Sequence, residues 1–567
     1  MKKFLGLAVF ALLISCVVVP VWAGSGKPTV IERQESVSYP SAAPQRVEGF
    51  LDLEVELAKR SAVHQWLVSE MNSAALKSPI EVVVTADDLL KLDEPVQQPA
   101  PVRVGLVQAV GEKIAFGGLT PSQLSKRAQP ISNGAIRITP DGGYVFTTAV
   151  TSPGASAMRL HFTDFWIPQA AELYLFTMDG EVFGPYKYRG PHEDGDFWSH
   201  TLMGDTVVMQ ILHTGTVSQQ DLEDTWFNLE DIGYLGEKFR RGLYGDDSTD
   251  KAFCQYNASC VINNSCTSHP AVNDAESAVA HMQWVSGAFL NWCSGGLIGD
   301  RAGTGTPYFL TANHCLNKNK DAKNLENFFQ LTANCGTTTC DDVFDTRNNH
   351  PQSLRTFGSS VKASGSTSDY TLLELNESPP AGSVLMGWES APVSDNDMIY
   401  RVSHPGGAPQ AFSSHEVDTS AGTCQGISHT NWIYSRDQTG ATEGGSSGSP
   451  VVNAAGKVVG QLTGSCGTNT GNPCDAVNNA TIDGAFSAYF NNVSQFLDPP
   501  QCVPTDSEAG NCTDGIDNDC VNGIDCADSA CSTDPACQGG CGGNRDPCNN
   551  NGDCCSGNCK RGTCKGN

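Results

Sequence analysis

The placement of cysteine constrains this chain more than any other feature. Of 23 cysteines in 567 residues, Cys16 stands near the start, none lies between Val17 and Phe253, and 22 follow from Cys254. An even number of thiols gathered in one half reads as a disulfide framework of an exported protein. The cysteine-free stretch must instead hold itself together with an ordinary apolar core. Zinc is the other use of clustered cysteines, but those at the C-terminal end lack nearby histidines.

The first residues agree with export. Met1-Lys2-Lys3, an apolar run from Phe4 to Ile14 and Val21-Trp22-Ala23 before Gly24 have the form of a secretory signal over residues 1–23. Leu13-Ile14-Ser15-Cys16 also has the form of a lipobox, which would leave a lipidated Cys16; the apolar Val17-Val18-Val19 after it favours the ordinary signal. No other stretch approaches the ~20 apolar residues of a spanning helix. A net charge of −27 argues against nucleic acid or anionic membrane as partners and fits a soluble secreted surface.

Three short segments carry chemistry. They are Thr311-Ala312-Asn313-His314-Cys315, Thr367-Ser368-Asp369-Tyr370 and Gly445-Ser446-Ser447-Gly448-Ser449-Pro450. A serine hydroxyl is a poor nucleophile at neutral pH, so a histidine must take its proton and an aspartate must hold the imidazole in one tautomer. Histidine, aspartate and serine in that chain order mark one of several arrangements of the triad. His314, Asp369 and Ser447 are the candidate catalytic residues. The glycines around Ser447 allow a sharp turn, so the Gly445 and Ser447 amides are expected to face a developing oxyanion.

From about Cys260 to Pro499 the chain resembles the bacterial lysyl endopeptidase branch of the trypsin-like serine peptidases. The resemblance rests on Ser259-Cys260 with Cys266, Trp292-Cys293-Ser294-Gly295-Gly296, Tyr308–Cys315, Thr367–Leu375, Thr442–Pro450 and Val459-Gly460-Gln461-Leu462. It implies an all-β protease of two antiparallel barrels, chymotrypsin-like, over residues 252–499, with the active site between them and no cofactor needed for catalysis. It further implies disulfides Cys293–Cys315, Cys260–Cys466 and Cys266–Cys335, leaving Cys254, Cys340, Cys424 and Cys474 unassigned. Leu462-Thr463-Gly464 would offer an edge strand to the substrate backbone. At the primary specificity pocket, trypsin-like enzymes often carry an aspartate six residues before the nucleophile, where this chain has Ala441. Lysyl endopeptidases use a later aspartate: counting forward from Cys466 lands on Asp475, and counting back from Ile482-Asp483-Gly484 lands on Thr481. Cleavage after Lys or Arg, with Asp475 as the pocket carboxylate, is the resulting expectation. Glu443 and His404-Pro405-Gly406-Gly407 read as loop structure.

The resemblance casts residues 24–251 as a propeptide. A segment at 24–105 carries a helix-like stretch around Leu51–Leu76 and a Pro-rich linker at Pro95–Pro101. Residues 106–251 show short strands at Tyr144–Val150, Met158–Phe165, Glu172–Met178 and Thr206–His213, as in a β-sandwich. An independent carbohydrate- or protein-binding sandwich is the other reading. Arg240-Arg241-Gly242 and Lys251-Ala252 are the candidate activation sites. Ser446 occupies the position where pancreatic relatives carry the aspartate that pairs with a new N-terminus, so removal of the propeptide is the expected switch.

Two small disulfide-rich modules follow. Residues 500–540 are acidic, with eight Asp or Glu and no Lys or Arg between Gln501 and Gly540. Asp514, Asp517, Asp519 and Asp525 suit an oxygen-liganded Ca²⁺, and a solvated disulfide-held spacer suits them equally. In residues 541–567 the spacing C-x₆-C-x₅-C-C-x₃-C-x₄-C resembles an inhibitor cystine knot. That resemblance implies Cys541–Cys555, Cys548–Cys559 and Cys554–Cys564. The expected partners are protein or peptide substrates, with cell-surface or matrix contact through these modules, and the expected state is a monomer. The whole reads as a secreted serine endopeptidase made as a zymogen. Its rival is a secreted adhesion or binding protein on an inactive protease scaffold.

Overall fold

Alternating apolar residues in the cysteine-free half become two facing sheets. The computed structural model describes residues 39–236, 257–336, 354–424 and 427–499, Phe239, and a few positions beyond 500. The signal region, Arg240-Arg241, Lys251, Cys254, Cys340, the four candidate calcium aspartates and the side chains of the proposed knot lie outside the described residues. One sheet runs in the order Val182–Tyr186, Ala171–Phe176, Thr206–His213, Tyr144–Thr151, Gly134–Ile138 and Gln129–Ile131. The facing sheet contains Ala157–Trp166, Trp226–Leu235 and Val102–Ala115. Ile114, Phe146, Phe162, Phe165 and Phe227 fill the space between them, as the alternation of inward side chains requires. The helix Leu53–Glu70 starts where the Asp52 side chain accepts the Val55 amide, and buries Leu67 beside Tyr174 and Phe176.

This sandwich is not a separate body. Val102–Ala115 also pairs antiparallel with Phe289–Ile298 of the second half, Leu106 opposite Phe289 and Val102 opposite Trp292. One sheet thus continues from the N-terminal unit into the second half, and its strand crosses the expected 105/106 division. Fully buried polar groups fasten the same junction. Arg355 lies 3.1 Å from Glu326 and 3.4 Å from Glu181 of the N-terminal unit. Glu326 also accepts the Thr201 amide and hydroxyl at 3.0 and 2.7 Å, and Arg159 donates to the Asn324 carbonyl at 2.9 Å. Burial pushes the Glu181 carboxyl up to about 7 despite the neighbouring Arg355.

The second half is all-β in its barrels, a half-barrel and a closed barrel. The half-barrel comprises Val279–Ser286, Phe289–Ile298, Tyr308–Ala312, Glu326–Phe329, Arg355–Phe357, Ser359–Gly365 and Tyr370–Leu375. Six strands form the closed barrel: Met398–Ser403, Ala411–Val417, Trp432–Thr439, Pro450–Asn453, Val458–Gly467 and Asn479–Ala485, the last two pairing to complete it. The helix Phe486–Leu497 buries Phe486, Tyr489, Phe490, Val493 and Leu497 on one face, against Trp388 and the half-barrel core.

The structure bonds Cys293 to Cys315 and Cys266 to Cys335. The expected Cys260–Cys466 bridge is absent: Cys260 bonds Cys474, and Cys466 bonds Cys424. The cause lies in the loop after Gly467, which carries Cys474 over the Cys260 amide. Cys466 instead faces Ala421, Trp432 and Tyr434, beside Cys424. Cys512 bonds Cys531 in the acidic segment, and Cys559–Lys560 pairs with Thr563–Cys564 as a short hairpin.

Candidate active site

His314 and Asp369 meet because their strands are neighbours. Tyr308–Ala312 pairs with Tyr370–Leu375, Ala312 opposite Tyr370, so both residues lie just past the same end of the ladder. Asp369 takes a left-handed backbone (φ 49°), a conformation that aspartate tolerates better than most residues. Its carboxylate accepts two bonds from one residue: the His314 amide at 2.8 Å and Nδ1 at 2.6 Å. That two-point contact fixes the ring and keeps the proton on Nδ1, leaving Nε2 as the acceptor. Both side chains are more than nine-tenths buried. From the closed barrel, Gln461 Nε2 donates to the Ser368 and Asp369 carbonyls at 2.8 and 3.1 Å, tying the two barrels at this point.

The loop carrying Ser447 makes a close backbone approach to the strand that leads to His314. A Cβ on Gly448 would lie 2.2 Å from Thr311 Oγ1 and 2.5 Å from the Ser294 carbonyl. Only glycine lets the loop seat on the strand that leads to His314. The Ser294 amide donates to the Ser447 carbonyl at 2.8 Å, and its hydroxyl to the Gly445 carbonyl at 2.8 Å. The peptides before Gly445 and Ser447 are also fixed: the Gly406 amide donates to Gly444 O at 2.7 Å and the Ser449 amide to Ser446 O at 3.0 Å. A trans peptide points its N–H opposite to its C=O, so anchoring these carbonyls directs both amides the other way. Neither the Gly445 nor the Ser447 amide has a protein acceptor among the described residues. The His404–Gly407 segment, read from sequence as a turn, is a turn whose Gly406 holds the catalytic loop.

The substrate-strand candidates join the same loop. Leu462 O accepts the Gly448 amide at 2.8 Å and Leu462 N donates to Ser449 O at 2.9 Å. Thr463 is buried, its Oγ1 without a partner among the described residues, and Gly464 faces open space. Asp475 is elsewhere: it sits on an exposed loop with its carboxylate taken by Asn469 and Asn478, whose hydrogen bonds hold it below the usual carboxylate range. The expected pocket carboxylate is therefore corrected.

Thr481 lies beside Ser465 and Ser435 in the sheet, and its hydroxyl donates to Asp437 Oδ1 at 2.7 Å. The same oxygen meets His415 Nδ1 at 2.8 Å, and His415 Nε2 lies 2.9 Å from Ser413 Oγ. Burial alone would raise the Asp437 carboxyl, but these bonds and nearby Arg401 hold it below the usual range. Arg401 is itself matched by Asp483 at 2.6 Å and donates to Ser449 O at 3.0 Å. Among the described residues, Asp437 is thus a mostly buried carboxylate with no Lys or Arg bonded to it. Sequence offered no signal for it: it stands ten residues before Ser447 in an ordinary strand.

The Cys293, His314 and Cys315 side chains cluster, but the two sulfurs are joined to each other and so supply no thiolate for a metal. No helix of the described residues is long and apolar enough to cross a membrane.

Residues 250–478 match the family model of the lysyl endopeptidase C-terminal domain. A lysyl endopeptidase of Pseudomonas aeruginosa is 24% identical over 376 residues, covering 64% of this chain and 77% of that protein. Among solved structures, the Rv3671c protease of M. tuberculosis in its active form is 13% identical, covering 46% of this chain and 94% of that one, with a TM-score of 0.28. The HtrA-type protease AlgW with tripeptide is 14% identical over 40% of this chain and 62% of that one, with a TM-score of 0.28. With residues 250–478 matched by that family model and the chain similar to that relative, this chain is a serine endopeptidase whose catalytic half is lysyl endopeptidase-like.

Proposed function

We propose that the chain is the secreted precursor of a serine endopeptidase that cuts after Lys or Arg through a His314–Asp369–Ser447 triad. Ser447 attacks the peptide carbonyl, His314 takes its proton and returns it to the leaving amine, and Asp369 orients the imidazole. The Gly445 and Ser447 amides receive the oxyanion, and Leu462–Gly464 holds the substrate backbone as an added strand. The observation that carries this reading is the two-point His314–Asp369 contact, together with a serine loop whose Gly445 and Ser447 amides have no protein acceptor among the described residues.

For side-chain selection, Asp437 replaces Asp475 as the candidate carboxylate. A cationic side chain entering past Thr481 would find Asp437, which, unlike Asp483, is not bonded to Arg401. Residues 39–236 fit a propeptide, which stays docked through its shared sheet and the Glu181–Arg355 contact until the junction is cut and the unit removed. Export, the Ca²⁺ site and the role of the knot-like tail belong to the same proposal, and the disulfides support export.

The test is digestion of a mixed peptide library by the secreted protein, with cleavage sites read by mass spectrometry. Cuts after Lys or Arg, lost in Ser447→Ala and shifted toward neutral residues in Asp437→Asn, are expected. Serine-dependent cuts after small or apolar residues would reject the basic specificity. No serine-dependent cuts would favour the binding scaffold.

A further inference from the structure

Two routes of hydrogen bonds converge on the Gly444–Gly445 peptide, and both begin at Asn257. This residue opens the described part of the catalytic half and is 8% exposed. Its Nδ2 donates to Pro405 O at 3.0 Å and to Glu443 Oε2 at 2.7 Å. The next residue follows suit: the Ala258 amide donates to Glu443 Oε1 at 2.7 Å. From Pro405 the first route runs one residue on to Gly406, whose amide holds the Gly444 carbonyl at 2.7 Å. From Glu443 the second runs along the chain into Gly444 itself.

The local geometry leaves little slack. Gly406 (φ 62°) and Gly445 (φ 97°) both occupy the left-handed region, and a Cβ on Gly445 would lie 2.9 Å from the His404 carbonyl. The Glu443 carboxylate spans the two donors of the 257–258 stretch with one oxygen each. Burial pushes its pKa up, and the bonds from Asn257 and Ala258 oppose that shift. A peptide plane can rotate without moving its neighbours far, so the direction of an amide is set by what holds its carbonyl. Here that holder is the 405–406 turn, and Asn257 bridges the turn to the loop it grips.

We propose that Asn257 and Glu443 are positioning residues that aim the Gly445 amide at the oxyanion, through the 405–406 turn and the Gly444 carbonyl. The inference rests on the serine-endopeptidase reading and adds to it where the aim of that amide comes from. Neither side chain touches substrate; both act on the transition state alone, where the oxyanion exists.

The full-length protein, processed as secreted, tests this with Asn257→Ala, Glu443→Ala and the double variant on one peptide-amide substrate. Each single change is expected to lower kcat about tenfold with KM within about twofold, less than the ~10²–10³ that follows loss of an oxyanion donor. The double variant is expected to fall no further than the worse single, because the two belong to one device. Affinity for a peptide aldehyde, which forms a tetrahedral adduct with Ser447, should weaken in step with kcat, while affinity for the product peptide stays unchanged. Glu443→Gln and Asn257→Ser supply milder versions if an alanine variant does not fold. A raised KM at unchanged kcat, multiplying losses, or an unweakened aldehyde would overturn the proposal. Absence of Ser447-dependent turnover in the unaltered protein would be a failure of the enzyme reading itself, separate from these variants.

Discussion

The two barrels solve the same problem in opposite ways. The barrel of Met398–Ala485 closes on itself through the pairing of its last two strands, and its buried Arg401–Asp483 pair lies wholly inside it. The half-barrel of Val279–Leu375 stays open, and its sheet is extended by Val102–Ala115 from the N-terminal unit. Its own buried cation, Arg355, is shared between Glu326 of the half-barrel and Glu181 of the N-terminal unit. Closure removes a sheet edge; an open edge must be covered by something else. The difference teaches that the half holding His314 and Asp369 leans on the N-terminal unit through a long shared strand. The half holding Ser447 closes on itself and, among the described residues, meets that unit's strands only through the short Ser41–Ala42 pairing with Trp388–Glu389.

Cutting the cation out of each half breaks that comparison most sharply. Arg401→Met strands the fully buried Asp483 carboxylate and frees Ser449 O, so a loss of about 3–5 kcal/mol of stability is expected, with activity lost alongside. Arg355→Met takes the bonded cation from Glu326 and Glu181 but leaves Arg159 and Arg60 nearby, so a smaller penalty of the same kind is expected. Its expected signature differs: residues 39–236 become sensitive to proteolysis before the closed barrel does. Limited proteolysis with thermal melting distinguishes the two. Simultaneous loss of both halves in either variant would erase the proposed distinction.

A smaller effect sharpens the junction's electrostatics. Glu181 sits among Arg355, Arg60 and Glu326, with its pKa raised to about 7 by burial. Its contribution to stability is therefore present below its unfolded value and is lost as pH rises toward 7. His200 lies beside Arg159, Arg355 and Glu326, and burial lowers it to about 4. Its contribution has the opposite sign, being present above about 6.5 and lost as pH falls toward 4. The two slopes oppose each other, so Glu181→Gln is expected to unmask a melting temperature that climbs between pH 4 and 6.5 more steeply than in the unaltered protein. An unchanged pH profile would show that Glu181 does not titrate in this window.

What sequence could show followed from local periodicity. Thr206–His213 forms over the expected residues, and Tyr144–Thr151 differs from expectation by a residue. Period-two alternation needs no partner to be read. The helix is shorter than expected because the chain leaves the helix at Met71 and makes a separate short turn at Ser73–Lys77. Long-range facts were hidden. Nothing near Leu106 announces Phe289 as its partner, and the insertion carrying Cys474 redirected a disulfide that the resemblance gave to Cys466. His314, Asp369 and Ser447 stood out because their flanking residues are distinctive. Asp437 and Asn257 did not, because each makes its contacts with residues far away in the chain.

The most direct measurement is reaction of the secreted protein with a serine-directed fluorophosphonate, paired with peptide-amide turnover in Ser447→Ala. The account predicts a single label on Ser447 and a fall in kcat of about 10⁶-fold with the fold intact. Near-normal turnover in Ser447→Ala, or a folded and processed protein that takes no label, would contradict it.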